Sequence, residues 1–350
     1  MKFIITLSLL TLVGTCATPK YTARIENLKS SIKIIDSSLV TKYSKTITSE
    51  ELKEHLYKFA SKEFEGRMTG EPGHKLAAEF VKSYYINLGI PSPFVSDNYY
   101  QGIPESYFPK DIKASENVLA YIEGSEKPEE ILVLSAHLDH EGIQKGKIYY
   151  GADDNGSGTV ALLEIAEAFK MAAKNGYRPK RSILFAHFTA EEIGKYGSEF
   201  YTENPVFPLE NTITNLNIDM IGRVDDRHSE EDDNYIYLIG SDRLSKELHY
   251  TSEAVQKAYV DINLDYKFNA INDHNNYYTR SDQYNFAKKG IPVIFYFSGV
   301  HEDYSEPTDT PDKINYELLA KRTKLIFATT WQLVNQDKRV AIDENSIFLN

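Results

Sequence analysis

The sequence predicts an α/β protein with a mostly parallel central sheet flanked by helices, and three observations carry that prediction. From Asn117 onward, short apolar runs suited to strands alternate with longer amphipathic stretches suited to helices. The run Ile131-Leu132-Val133-Leu134 is nearly continuous in apolar character, as expected of a strand buried on both faces. Acidic residues and imidazoles recur where such runs end, which is where sheets of this kind bind ligands.

Ahead of that alternation, Thr48-Ser49-Glu50-Glu51 offers a helix cap followed by acidic first-turn residues, with Leu52, Leu56 and Phe59 on one face. Ala77, Phe80, Val81 and Tyr84 form a second helical stripe. Strands are expected over 118–122, 131–134, 182–188, 215–220, 235–239 and 291–297, and helices over 159–173 and 314–334. No internal repeat or low-complexity linker divides the chain, so one catalytic domain is expected over 48–338, preceded by a segment over 17–47.

The first residues bear on compartment. Met1-Lys2 is followed by an apolar run over 3–13, then Gly14-Thr15-Cys16. That layout suits a secretory signal over 1–16, too short to span a bilayer permanently. A small-residue pair ending in cysteine resembles a bacterial lipobox, so the expectation is an exported envelope lipoprotein anchored through Cys16; the alternative is an ordinary signal with an incidental cysteine and a periplasmic or secreted product. Cys16 is the only cysteine in the 350 residues, so its acylation would leave no free thiol for a disulfide or a cysteine nucleophile. A net charge of −12 argues against a nucleic-acid partner.

Four segments carry the chemistry. His137-Leu138-Asp139-His140 closes the 131–136 run, and residues two apart on a strand share a face, so His137 and Asp139 point the same way. In zinc sites such an imidazole ligates the metal while the nearby carboxylate fixes its tautomer, though a lone His-x-Asp at a strand end is more often a local hydrogen-bonded pair. Gly151-Ala152-Asp153-Asp154-Asn155-Gly156-Ser157-Gly158 opens the next helix after a strand-like Ile148-Tyr149-Tyr150. Turn chemistry explains its glycines but not its adjacent carboxylates. Thr189-Ala190-Glu191-Glu192-Ile193-Gly194 follows a strand, and its two acids suit either a first helical turn or a metal ligand beside a proton shuttle. Asp219 sits in the apolar Asn217-Ile218-Asp219-Met220-Ile221-Gly222-Arg223 and needs a cation or hydrogen bonds if buried. Together, carboxylate-rich ligation with imidazole and no thiolate suits zinc, or less well manganese or cobalt.

In this order, HLDH, GADDNGSG, TAEEIG and NIDMIGR resemble the di-zinc aminopeptidase and glutamate carboxypeptidase family, from about Asn117 to the final helix. Glu65-Gly66-Arg67 resembles the family's front end. The resemblance implies a three-layer, phosphorylase/hydrolase-like sandwich and a peptidase acting on free amino ends of peptides. It implies that Asp154 bridges two zinc ions, that His137 and Asp219 complete one site with Asp139 orienting His137, and that Glu192 holds the other. Glu191 would be the general base that takes a proton from the attacking water. It further implies a cis peptide between Asp154 and Asn155.

The sequence departs from that family at two places. Ser305, in His301-Glu302-Asp303-Tyr304-Ser305, stands where relatives place the histidine of the second metal, and Gln283 replaces a second familiar histidine. A serine hydroxyl is a poor zinc ligand, so the second metal is expected to bind weakly, with His301 or water as the alternatives for the gap. His301, on a polar loop, is expected at the surface. Arg280-Ser281-Asp282 either lines the pocket or forms a supporting ion pair. His187 is expected inside a strand, and the acidic run over 229–233 in a solvated loop. Two other functions stay open: a silent relative that binds peptides at the envelope, and a one-zinc enzyme like the glutaminyl cyclases.

Overall fold

A computed structural model describes residues 11–228 and 232–343, with side chains from 21 onward. The segment over 1–10, the side chain of Cys16 and residues 229–231 of the acidic run lie outside the described residues.

Eight strands form one mixed sheet: β1 (Tyr100–Ile103), β2 (Ser115–Ile122), β3 (Lys127–His137), β4 (Arg181–Phe188), β5 (Thr212–Ile218), β6 (Tyr235–Ile239), β7 (Asn263–Asp265) and β8 (Val293–Phe297). Their order is β1-β2-β4-β3-β5-β8-β6-β7. The central four, β4-β3-β5-β8, are parallel throughout, and β6 pairs parallel with β7. The remaining pairings, β1 with β2, β2 with β4 and β8 with β6, are antiparallel. All four central strands therefore end on the same side. The edge strands β1 and β7 are too short and too polar to show as runs in the sequence.

The strand period of two distributes β3 between two layers. Leu132, Leu134 and Ala136 enter the larger core with helices α3 (Ser49–Phe59), α4 (Pro72–Leu88), α5 (Gly158–Lys174), α7 (Lys246–Tyr259) and α9 (Tyr316–Asn335). Ile131 and Val133 enter a second, aromatic core with α6 (Tyr196–Glu203) and α8 (Gln283–Ala287). β8 divides the same way, Ile294 and Tyr296 to one side and Val293, Phe295 and Phe297 to the other. This is the three-layer arrangement expected.

Thr48 caps α3 by accepting from the Glu51 amide at 3.2 Å, as its sequence signature predicts. The helices α1 (Thr11–Ser31) and α2 (Ser37–Ser44) precede Thr48, and Val40, Tyr43 and Ile47 are buried in the core. The strand-like 148–150 segment forms only a two-residue edge, Lys147–Ile148, paired with Ile143–Gln144. His187 is buried in β4 and meets the Tyr85 hydroxyl at 2.8 Å; burial lowers its pKa to about 3. Among the described residues, no helix is long and apolar enough to cross a membrane.

Candidate metal centre

The four chemical segments meet beyond the carboxyl ends of the central parallel strands. His137 ends β3, Glu191 and Glu192 follow β4, Asp219 follows β5, and Asp154 lies in the turn before α5. One ligand atom each from His137, Asp154 and Glu192 lie within 4.8 Å of one another. His137 Nε2 is 3.2 Å from Asp154 Oδ1 and 3.3 Å from Asp219 Oδ1. Neither contact is aligned as a hydrogen bond, and Asp219 Oδ1 is buried without a hydrogen-bond partner.

Those distances and that orphaned oxygen test whether the residues suit a divalent ion. Ligand bonds of roughly 2.0–2.2 Å in tetrahedral zinc put neighbouring ligand atoms about 3.3 Å apart, and both edges meet that. Charge points the same way. Burial pushes the Glu191 carboxyl well above its ordinary value, and Asp219, Asp282 and Glu192 add to it. Glu192 is raised by burial and by Asp154. So many buried carboxylates in one place require cations beyond the histidines and Arg67.

Sequence-local reasons place each side chain. Gly151 takes φ 55°, and a Cβ there would lie 2.2 Å from the Asp154 carbonyl oxygen and 2.5 Å from the His140 ring. Gly158 has ordinary helical φ; its Cβ would strike Asn155 Oδ1 at 2.2 Å and the Ile218 oxygen at 2.6 Å. Close approach, more than positive φ, therefore explains the glycines around Asp154. The Asp154–Asn155 peptide is cis, as the family resemblance implies.

Glu191 and Glu192 lie in a turn; α6 begins only at Tyr196, so a helical first turn does not account for them. Asp139 holds that turn. Its Oδ1 accepts from the Glu191 amide at 3.1 Å, and its Oδ2 accepts from the Glu192 amide at 3.4 Å and the Thr69 hydroxyl at 2.9 Å. His137 Nδ1 meets the Asp139 carbonyl oxygen at 3.2 Å, closer than the carboxylate at 3.7 Å. Asp139 thus touches His137 chiefly through backbone and ties the Glu191–Glu192 turn to the end of β3.

A hydrogen-bond chain orients Asp219. Ser281 donates to Asp219 Oδ2 at 2.6 Å, Asn217 Nδ2 donates to Ser281 at 2.8 Å and to Gln283 Oε1 at 3.1 Å, and Ser135 donates to Asn217 at 2.6 Å. Gln283 therefore serves as a brace, with its amide donating to the Tyr278 carbonyl at 3.0 Å. Arg280 does not pair with Asp282: its guanidinium lies over the Tyr277 ring at 5.2 Å and lines the cleft above Asp154, Glu191 and Asp219. Asp282 is buried with neither oxygen hydrogen-bonded, and burial lifts it to about 7.

His301 is corrected by the structure. It is buried, 5 % exposed, because its Nε2 faces the buried Asp153 Oδ2 at 3.2 Å, and so it neither reaches solvent nor joins the Asp154 cluster. Ser305, half-buried at φ 54°, hydrogen-bonds to none of the site residues. His140 is the residue sequence reasoning passed over. Its Nδ1 lies 2.6 Å from Glu192 Oε1 and 4.0 Å from Asp154 Oδ2. The signal was present in the final His of HLDH, three residues after His137, but the two-residue strand rule does not reach past the strand end.

Residues 117–330 match the sequence profile of Peptidase family M28. The chain belongs to that family. Aminopeptidase NAALADL1 of Rattus norvegicus is 38% identical over 112 residues, which is 31% of this chain and 14% of that protein. The chain thus matches only about a seventh of that relative's length. Among solved structures, the Legionella pneumophila LapA aminopeptidase superposes with a TM-score of 0.67 at 19% identity, over 87% of this chain and 77% of that one. The zinc aminopeptidase BSAP of Bacillus subtilis superposes with a TM-score of 0.63 at 17% identity, over 86% and 99%. The M28 architecture accounts for the shared sheet and for strand ends that converge on one cleft.

Proposed function

We propose that this M28 chain is a zinc-dependent exopeptidase that removes amino-terminal residues from peptides. The observation that carries the reading is the convergence of His137, Asp154 and Asp219 at tetrahedral spacing, with Glu191 half-buried on the lining of the same cleft. In this reading His137, Asp154 and Asp219 would hold one ion, and Asp154 with Glu192 would hold a second. When bound, the metal supplies Lewis acidity to the scissile carbonyl and makes water a nucleophile near neutral pH.

The chain's own residues supply the rest. Glu191 takes the proton from the attacking water and passes it to the leaving amine. Asp139 holds the Glu191 amide, so the base is aimed by the backbone. Ser281 fixes Asp219 through a 2.6 Å hydrogen bond. A cavity of about 610 Å³ adjoins Glu192; Met68, Ile143 and Ile193 give it apolar walls, and Glu65 and Glu141 add negative charge that favours a cationic group such as a free α-amine.

The test is hydrolysis of free-amine and amine-blocked peptides by the zinc-loaded protein, with a chelated control. Release of amino-terminal residues from unblocked peptides only, abolished by chelation, is the expected result. Release from the carboxyl end would sink the aminopeptidase reading and point to Arg280 as the anchor. No turnover at saturating zinc would favour a silent peptide-binding relative. Export and lipid anchoring through Cys16 belong to the same proposal; Cys16→Ser should move the protein from the membrane to the soluble fraction.

A further inference from the structure

The second half-site lacks its imidazole at position 305, and the fold brings another to the same pair of carboxylates. His140 Nδ1 is 2.6 Å from Glu192 Oε1 and 4.0 Å from Asp154 Oδ2. These separations bracket the roughly 3.3 Å edge of a tetrahedral zinc site, so shifts of less than about 1 Å, Glu192 outward and Asp154 inward, would fit an ion between them. We propose that His140, not Ser305 or His301, is the nitrogen ligand of the second metal, with Asp154 and Glu192 as its carboxylate partners. This rests on the metallopeptidase reading above.

The placement of His140 is built rather than incidental. Its ring is fully buried, its Nε2 has no hydrogen-bond partner, and it packs on Gly151, where any side chain would collide with it. Its amide donates to the Arg67 carbonyl at 3.2 Å. Arg67 clamps both flanks, its guanidinium donating to the Leu138 oxygen at 2.9 Å and to the Gly151 oxygen at 2.8 Å. The backbone on either side of the ring is thereby held, and the imidazole stays against Glu192. The other candidates do not supply a nitrogen there: His301 faces Asp153 at 3.2 Å, and position 305 carries a hydroxyl with no nitrogen to offer.

The experiment is calorimetric titration of the metal-stripped protein with Zn²⁺ alone. The parent should bind two ions. His140→Ala should weaken the second site by at least about 100-fold, because even residues that only orient a ligand cost roughly 10–100-fold when removed. The first site should change little, and Ser305→Ala should change neither. Adding Ser305→His to His140→Ala should restore the second ion. X-ray absorption of the parent, which needs no variant, should count two imidazoles per two zincs. Retention of both affinities by His140→Ala, a single imidazole, or a parent that binds one ion would each overturn the assignment while leaving a one-metal peptidase intact. A parent that binds no zinc would overturn the metallopeptidase reading itself.

Discussion

The two halves of the centre are built on different foundations. His137 and Asp219 follow directly from β3 and β5, adjacent parallel strands whose register is set across the sheet by pairs such as Leu134 with Leu216. Glu192 and His140 stand one step further out, on turns held by Asp139 and Arg67. The first half is braced by a hydroxyl–amide chain through Ser281, Asn217 and Ser135, and its ligand atoms already stand at metal-binding spacing. In the second half His140 and Glu192 close on each other at 2.6 Å. A half-site seated on strand ends tolerates little change, whereas one seated on turns can lose a residue such as a histidine at 305 and be supplied from another turn.

The largest expected effect tests whether the two halves share one reaction. Glu191→Gln should lower kcat by about 10³-fold, within the range set by general-base catalysis, while zinc content measured by mass spectrometry stays that of the parent. Loss of metal together with activity would instead make Glu191 a ligand. Next, Ser281→Ala should weaken the first site by roughly 10–100-fold in zinc titrations and leave the second unchanged. Equal weakening of both would dissolve the distinction between the halves.

The smallest effect concerns the loop that carries Ser305. Burial alone would raise the Asp303 carboxyl, but Lys313, Thr308 and Arg223 overcome it and bring it down to about 2. Lys313 lies at 2.5 Å and Arg223 at 3.1 Å. Its pKa is lower folded than its ordinary 3.8, so the stabilisation is full above pH ~4 and lost as pH falls towards ~2. Asp303→Asn should therefore cost about 1–2 kcal/mol in denaturant unfolding at neutral pH, with the difference from the parent vanishing near pH 2. A difference that persists in acid would mean the loop is held by packing rather than by this ion cluster.

Much of the fold was legible because it depends on local patterns. The buried runs that become β2 to β6 and β8 are apolar enough to stand out, and the Thr48 cap is a side-chain-to-backbone contact spanning three residues. Tyr100–Ile103 and Asn263–Asp265 were not legible, since neither has a run long enough to signal a strand; each exists because β2 or β6 offers it an open edge. The Glu191–Glu192 turn was readable as acidic but not as a turn, because what holds it is Asp139, 52 residues earlier.

By itself the sequence established the order of the six longer strands and of the helices around them that carry clear stripes, the four motifs and the departures at Gln283 and Ser305, because strand period, capping and ligand chemistry act over a few neighbouring residues. Only the tertiary structure decided what each departure means. Gln283 braces Asn217 and His301 turns to Asp153. His140 comes within 2.6 Å of Glu192 although 52 residues separate them. Those outcomes depend on which turns are brought together at one end of the sheet, a property of strand order and crossover that no local pattern encodes.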